Sequence, residues 1–129
     1  MKTLIQIILL SLALQSFQCS KSDDKNPNDI TPEQLLTKKL EITNYINGFS
    51  CSEQVGCSSI AFGEKACGGP KEYLLFSNAA NLPQLQQMVT DYNNLEKQYN
   101  NQINAISDCM FLQPPTTVGC VNGVCTVIN

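Results

Sequence analysis

Seven cysteines, Cys19, Cys51, Cys57, Cys67, Cys109, Cys120 and Cys125, carry most of the chemical capability of this 129-residue chain. A cysteine can take a lipid, close a disulfide, ligate a metal or act as a nucleophile, and its surroundings decide which. Cys19 stands apart from the others. Lys2 and the apolar stretch Leu4 to Leu14 precede it, and the polar run Ser20 to Asp29 follows. That order reads as a secretory signal over 1–18 that ends at a lipid-acceptor cysteine. An odd thiol count is awkward for an exported chain. Lipidating Cys19 leaves Cys51, Cys57, Cys67, Cys109, Cys120 and Cys125 to pair as disulfides in an oxidising compartment. Ser16-Phe17-Gln18 departs from the leucine-then-small-residue pattern usual before a lipidated cysteine. Cleavage near Ser16 would give a secreted protein with a seventh thiol instead.

Six cysteines allow 15 connectivities, and the sequence does not select among them. The expected set joins Cys67 to Cys109, tying the Gly68-Gly69-Pro70 turn to the end of a long helix. Cys51 and Cys57 then pair with Cys120 and Cys125, pinning a terminal hairpin over an earlier loop. Each such bond contributes roughly 2–4 kcal/mol, mainly by restricting the unfolded chain. A metal site is not expected, since the close cysteine pairs lack Cys-x-x-Cys spacing and the chain has no histidine.

The missing histidine also removes Ser-His and Cys-His nucleophile pairs. Gly68-Gly69-Pro70 lacks the pattern of a phosphate-binding loop and opens a strand, not a helix. Glu64, Glu72, Asp91, Glu96 and Asp108 sit in no recognisable acid–base motif and are expected to be solvated. Asp108 is placed at a helix end, where the dipole disfavours an acid. It is expected to bond local backbone, with binding as its second reading. No catalytic residue and no cofactor is assigned.

The elements that must position these groups read as follows. Residues 19–31 form a flexible tether, too polar to bury apolar area. Thr31-Pro32-Glu33-Gln34 is a helix start, with Thr31 as cap, Pro32 in the first turn and Gln34 closing a capping box. Leu35, Leu36, Leu40, Ile42 and Ile46 give an apolar stripe, and Gly48 is a stop, so the first helix is predicted over about 32–47. Residues 49–59 read as loop, Ile60-Ala61-Phe62 as a short strand and Lys71 to Ser77 as a buried strand. Asn81 caps a second helix over about 82–107. Its stripe is Leu85, Tyr92, Tyr99 and Ile106, filled in by Met88, Val89, Leu95 and Ile103. Met110-Phe111-Leu112 reads as a further strand before Pro114-Pro115. Asn122-Gly123 marks a hairpin in which Val121 pairs with Val124 and Cys120 faces Cys125. The prediction is one disulfide-stabilised α+β domain over 32–129. In it the two helices pack on a small antiparallel sheet that ends in the C-terminal hairpin.

Eight lysines and no arginine stand against 11 acids, with no basic patch. Nucleic acid is therefore not an expected partner, because neutralising phosphates needs clustered cations. Ser20-Lys21-Ser22-Asp23-Asp24 resembles the lysine-then-acids signal behind the lipidated cysteine of surface-exposed lipoproteins in some Gram-negative bacteria. Farther on, Cys57, Ile60-Ala61-Phe62-Gly63, Lys65-Ala66-Cys67-Gly68-Gly69-Pro70, Tyr73-Leu74 and Phe76-Ser77 form a pattern. It continues through Tyr92-Asn93, Ser107-Asp108-Cys109, Pro114-Pro115, Cys120, Gly123 and Cys125. This pattern, over about 57–125, resembles an uncharacterised family of small exported cysteine-rich bacterial proteins. The resemblance implies an exported cysteine-rich domain and no reaction.

The expectation is a non-enzymatic lipoprotein domain, anchored by Cys19 in the outer membrane and facing outward. Its partner would be an unknown envelope or extracellular protein. Its expected contacts are Gly68, Gly69, Pro70, Tyr73 and Asp108, together with Pro114 and Pro115. The alternative is a small protease inhibitor, secreted or tethered, with Gln113 to Thr117 as a proline-stiffened loop. A hydrolase using carboxylates alone is a third reading and would need two acids about 5–9 Å apart.

Overall fold

Thr31 opens the first helix as its sequence demands. Its hydroxyl accepts the Gln34 N–H at 3.3 Å while the Gln34 side chain accepts the Thr31 N–H at 2.8 Å, a reciprocal capping box. Helix α1 runs Pro32–Asn47 and stops at Gly48. These details come from a computed structural model that describes Asn26 and residues 28–128. The expected signal over 1–18 and the expected lipid acceptor Cys19 lie outside the described residues.

Strands β1 (Cys57–Phe62) and β2 (Glu72–Ser77) pair antiparallel, with Cys57 opposite Ser77 and Phe62 opposite Glu72. Helix α2 (Leu82–Gln102) follows, capped by the Asn81 side chain, which accepts the Gln84 N–H at 3.0 Å. A segment without helix or strand then leads to β3 (Val118–Val121) and β4 (Val124–Val127). These pair in the expected register, Val121 with Val124 and Cys120 with Cys125. Asn122 and Gly123 both take positive φ, 51° and 80°, as a two-residue hairpin turn requires.

The fold is the expected small disulfide-stabilised α+β domain, with its strands in two separate two-stranded ladders, β1–β2 and β3–β4. The core lies between the helices and β1–β2. Leu35, Ile42 and Ile46 of α1 meet Phe62, Phe76, Ala80, and Leu85, Val89 and Tyr92 of α2. Phe62 stacks on Tyr92 with ring centroids 4.3 Å apart. Leu36 and Leu40, expected in the α1 stripe, are exposed instead.

Several expected boundaries move. The tether ends earlier than residue 31. Ile30 packs against the core, and its N–H and C=O bond the Gln102 side chain at 2.9 and 3.0 Å. β1 starts at Cys57, inside the span read as loop. α2 ends at Gln102, not near 107, because Asn104 turns left-handed at φ 50° and breaks the ladder. Ile103 and Ile106 are therefore exposed rather than in the stripe. Met110-Phe111-Leu112 forms no strand. Its side chains, Met110 and Phe111 above all, face solvent.

Two disulfides, Cys51–Cys120 and Cys57–Cys125, join the hairpin to β1 and the loop before it. Such bonds belong to an oxidising, extracytoplasmic setting. Cys120 and Cys125 face each other across the hairpin but do not bond each other; each joins a cysteine of the earlier segment, as expected. Among the described residues no helix is long and apolar enough to cross a membrane.

Candidate functional site: the clasp between the β1–β2 loop and the segment after α2

The loop joining β1 to β2 is held by polar residues of α2. Asn93, Glu96 and Asn100 recur three and four residues apart, so they share one helix face. The Asn93 carbonyl oxygen accepts the Gly63 N–H at 2.8 Å, and Glu96 Oε2 accepts the Glu64 N–H at 2.7 Å. Asn100 Nδ2 donates to the Glu64 carbonyl at 2.7 Å. The second Glu96 oxygen takes the Lys71 ammonium at 2.7 Å and the Tyr92 hydroxyl at 3.3 Å. Gly63 has φ 79°, and a Cβ there would come within 3.1 Å of Glu96 Oε2. Only glycine lets the loop approach the carboxylate this closely.

Glu96 is thus a buried anchor, 6% exposed, and not the solvated acid expected. Three hydrogen bonds to one carboxylate, one of them from an ammonium, offset its desolvation. Burial, with the neighbouring Glu96 charge second, pushes the Tyr92 phenol up to about 12. The other expected acids also meet partners. Glu72 pairs with Lys39 at 2.6 Å, Asp108 with Lys65 at 2.8 Å, and Asp91 accepts from Gln87 at 2.8 Å.

Beyond Glu64 the loop folds into a tight turn, with the Lys65 N–H on the Gly69 carbonyl and the Gly68 N–H on the Lys65 carbonyl, both at 2.9 Å. Gly68 and Gly69 have φ 94° and 85°. This turn clasps the segment after α2. Lys65 Nζ bridges Asp108 Oδ1 at 2.8 Å and the Met110 carbonyl at 3.0 Å. The Cys67 N–H donates to Ser107 Oγ at 3.3 Å, the Ser107 hydroxyl meets Cys67 Sγ at 3.4 Å, and the Cys67 thiol meets the Asp108 carbonyl at 3.0 Å. Farther on, the Tyr73 hydroxyl donates to the Leu112 carbonyl at 3.5 Å.

The Asp108 carboxylate meets the local backbone at Met110, as expected, with the Lys65 ammonium as its stronger partner. It lies beyond the helix end, and the Lys65 ammonium holds its carboxyl below the usual carboxylate range. Cys67 and Cys109 are brought together as expected, but as free thiols rather than a disulfide. The Cys109 thiol, then the Ser107 hydroxyl, hydrogen-bond the Cys67 sulfur and hold its pKa below the usual thiol range. Cys109 is pushed the other way, first by its bond with Cys67.

Gly68, Gly69 and Asp108 thus meet at the clasp, and Pro70 closes the turn. Tyr73 fixes the segment just before Pro114 and Pro115, which lie past that contact. Asn100 was not singled out by sequence, Lys65, Asn93 and Ser107 entered only as parts of the resemblance pattern, and Glu96 only as a solvated acid. The signal for Glu96 was a charge in the centre of the stripe begun by Leu85, Val89 and Tyr92. Sulfurs of Cys51, Cys57 and Cys125 lie within 4.8 Å of one another. In disulfide form they offer no thiolate to a metal. No protein-family model matches this chain, and no curated protein or solved structure matches it either.

Proposed function

We propose that this chain is a non-enzymatic lipoprotein domain, anchored outside the cell through Cys19, which presents the segment after α2 to an envelope or extracellular protein. One observation carries the reading. Ile106, Met110 and Phe111 are 97%, 75% and 73% exposed, on a segment that Lys65, Cys67 and Tyr73 hold in place. Large apolar side chains fixed in solvent favour a protein partner with an apolar pocket, since holding them in advance lowers the ordering cost of binding. The disulfides fit an exported protein. The resemblance to small exported cysteine-rich bacterial proteins points the same way.

Two measurements test it. Intact mass spectrometry of the protein from native membranes is expected to show a chain that begins at Cys19 and carries acyl groups. An unacylated, diffusible chain would overturn the anchor. A photo-crosslinking residue at position 111, on intact cells, is expected to capture one protein, lost when Met110→Ser and Ile106→Ser are added. Crosslinking that is absent, or unaffected by those changes, would overturn the contact face.

A second reading, a small protease inhibitor, draws on the Gln113 to Thr117 loop. Its ends are held by the Tyr73–Leu112 contact and by the Ile128 N–H on the Thr117 carbonyl at 3.2 Å, and Pro114 and Thr116 are exposed between them. Inactivity against a panel of serine and cysteine proteases would remove it.

A further inference from the structure

We propose that Cys67 and Cys109 form a thiol–disulfide exchange site, with Cys67 as the attacking sulfur, Cys109 as the resolving sulfur and a glutathione-type disulfide as substrate. The argument begins with a contrast inside one molecule. Cys51, Cys57, Cys120 and Cys125 are buried or half-buried and already bonded, whereas Cys67 and Cys109 are exposed free thiols. A disulfide needs access to be attacked and a thiol needs access to attack, so the exposed pair is the exchangeable one.

Geometry separates the roles of the two sulfurs. Cys67 sits in the Gly68-Gly69 turn with the Ser107 hydroxyl at 3.4 Å from its sulfur. Its neighbour Lys65 places an ammonium on Asp108 and Met110 of the facing segment. The Ser107 hydroxyl donor on its sulfur favours thiolate at Cys67, and its lowered pKa accords with that, while the Lys65 charge acts on both sulfurs. Cys109 faces that sulfur and stays protonated to higher pH. A polar cleft of about 250 Å³ opens beside Cys67, with Lys97, Asn100 and Asn101 on its wall. Lysine and amide side chains there suit the carboxylates and amides of a peptide-like thiol.

The exchange balances. The Cys67 thiolate attacks one sulfur of the substrate disulfide, forms a mixed disulfide and releases one thiolate. Cys109 loses its proton and attacks Cys67 Sγ, forming the Cys67–Cys109 bond and releasing the second thiolate. The protein dithiol is oxidised by two electrons, and the substrate disulfide is reduced to two thiols that take up the two protons.

The experiment uses the full chain carrying Cys19→Ser, so that no third thiol reacts, mildly reduced, with oxidised glutathione as the probe and intact mass as the readout. This parent chain is expected to lose two hydrogens with no lasting adduct, and reduced glutathione is expected to reverse this while the other two disulfides persist. Cys109→Ser is expected to trap one glutathione, roughly tenfold faster than Cys67→Ser does. Retention of Cys51–Cys120 and Cys57–Cys125 in both variants reports that they fold. Stable adducts on both sulfurs of the parent chain would overturn the proposal. So would equal trapping rates, or a Cys67–Cys109 bond that opens only together with the other two.

Discussion

Glu96 illustrates how one buried carboxylate organises a polar loop. It binds a backbone N–H, an ammonium and a phenol at once, so its charge is used three ways. Glu96→Gln keeps the shape but loses the charge and leaves Lys71 without its partner. It is expected to cost roughly 1–3 kcal/mol in urea unfolding, and an unchanged midpoint would refute the anchor role. Tyr92 gives a second handle. Its phenol is pushed from the ordinary 10.0 to about 12 in the folded protein. Between those values the unfolded chain has released the proton and the folded chain still holds it. The unfolded state thus binds fewer protons, and stability must fall as pH rises from 10 towards 12. Below that window the stabilisation is fully present. Tyr92→Phe is expected to flatten this alkaline decline in a pH series of thermal melts.

At the scale of elements, the hairpin depends on its covalent links. A two-stranded ladder is marginal in water by itself. Here β3–β4 meets the rest of the fold through Cys51–Cys120, Cys57–Cys125 and the Cys51 N–H on the Gly123 carbonyl at 3.1 Å. Replacing all four of these cysteines by serine is expected to destabilise the domain by several kcal/mol, at about 2–5 per bond. Amide exchange should then lose protection over Val118–Val127 before α1 and α2 do. Simultaneous loss everywhere would mean that the hairpin is integral to the core. Helix starts and the hairpin were legible in the sequence because Thr31, Asn81 and Asn122-Gly123 act on their own neighbours. The end of α2 was not. Ile103 and Ile106 continue its apolar spacing, and nothing local announces that Asn104 will turn left-handed.

For the whole molecule, the sequence revealed the architecture and the cysteine-bearing elements but not which polar groups would meet. The hairpin-to-loop pairing of four cysteines was foreseeable from two close pairs on separate segments. The clasp was only half visible. Cys67 with Cys109 suggested a closure, yet Lys65, Ser107 and the Asn93-Glu96-Asn100 face engage only once the loop is folded onto α2. Their contacts span 30 or more residues, and no local pattern encodes them. The exposed Ile106, Met110 and Phe111 were likewise hidden, because an apolar triplet with no turn signal reads as a strand.

The Cys51–Cys120 bond also sets how the molecule bears load. A pull between the two ends of the described chain crosses that bond, which bridges a sequence separation of 69. Strands β1 and β2, all of α2 and the clasp lie inside the bridged loop, off the line of tension. Only α1 with its flanks and the residues after Cys125 can be drawn out while both disulfides hold. Stretched singly in a force instrument, the oxidised protein is expected to fall about 240 Å short of the fully reduced one, at ~3.5 Å per shielded residue. Equal extension in both states would show that the bond does not carry the force. A domain wired this way can lose its first helix under shear and keep its clasp assembled.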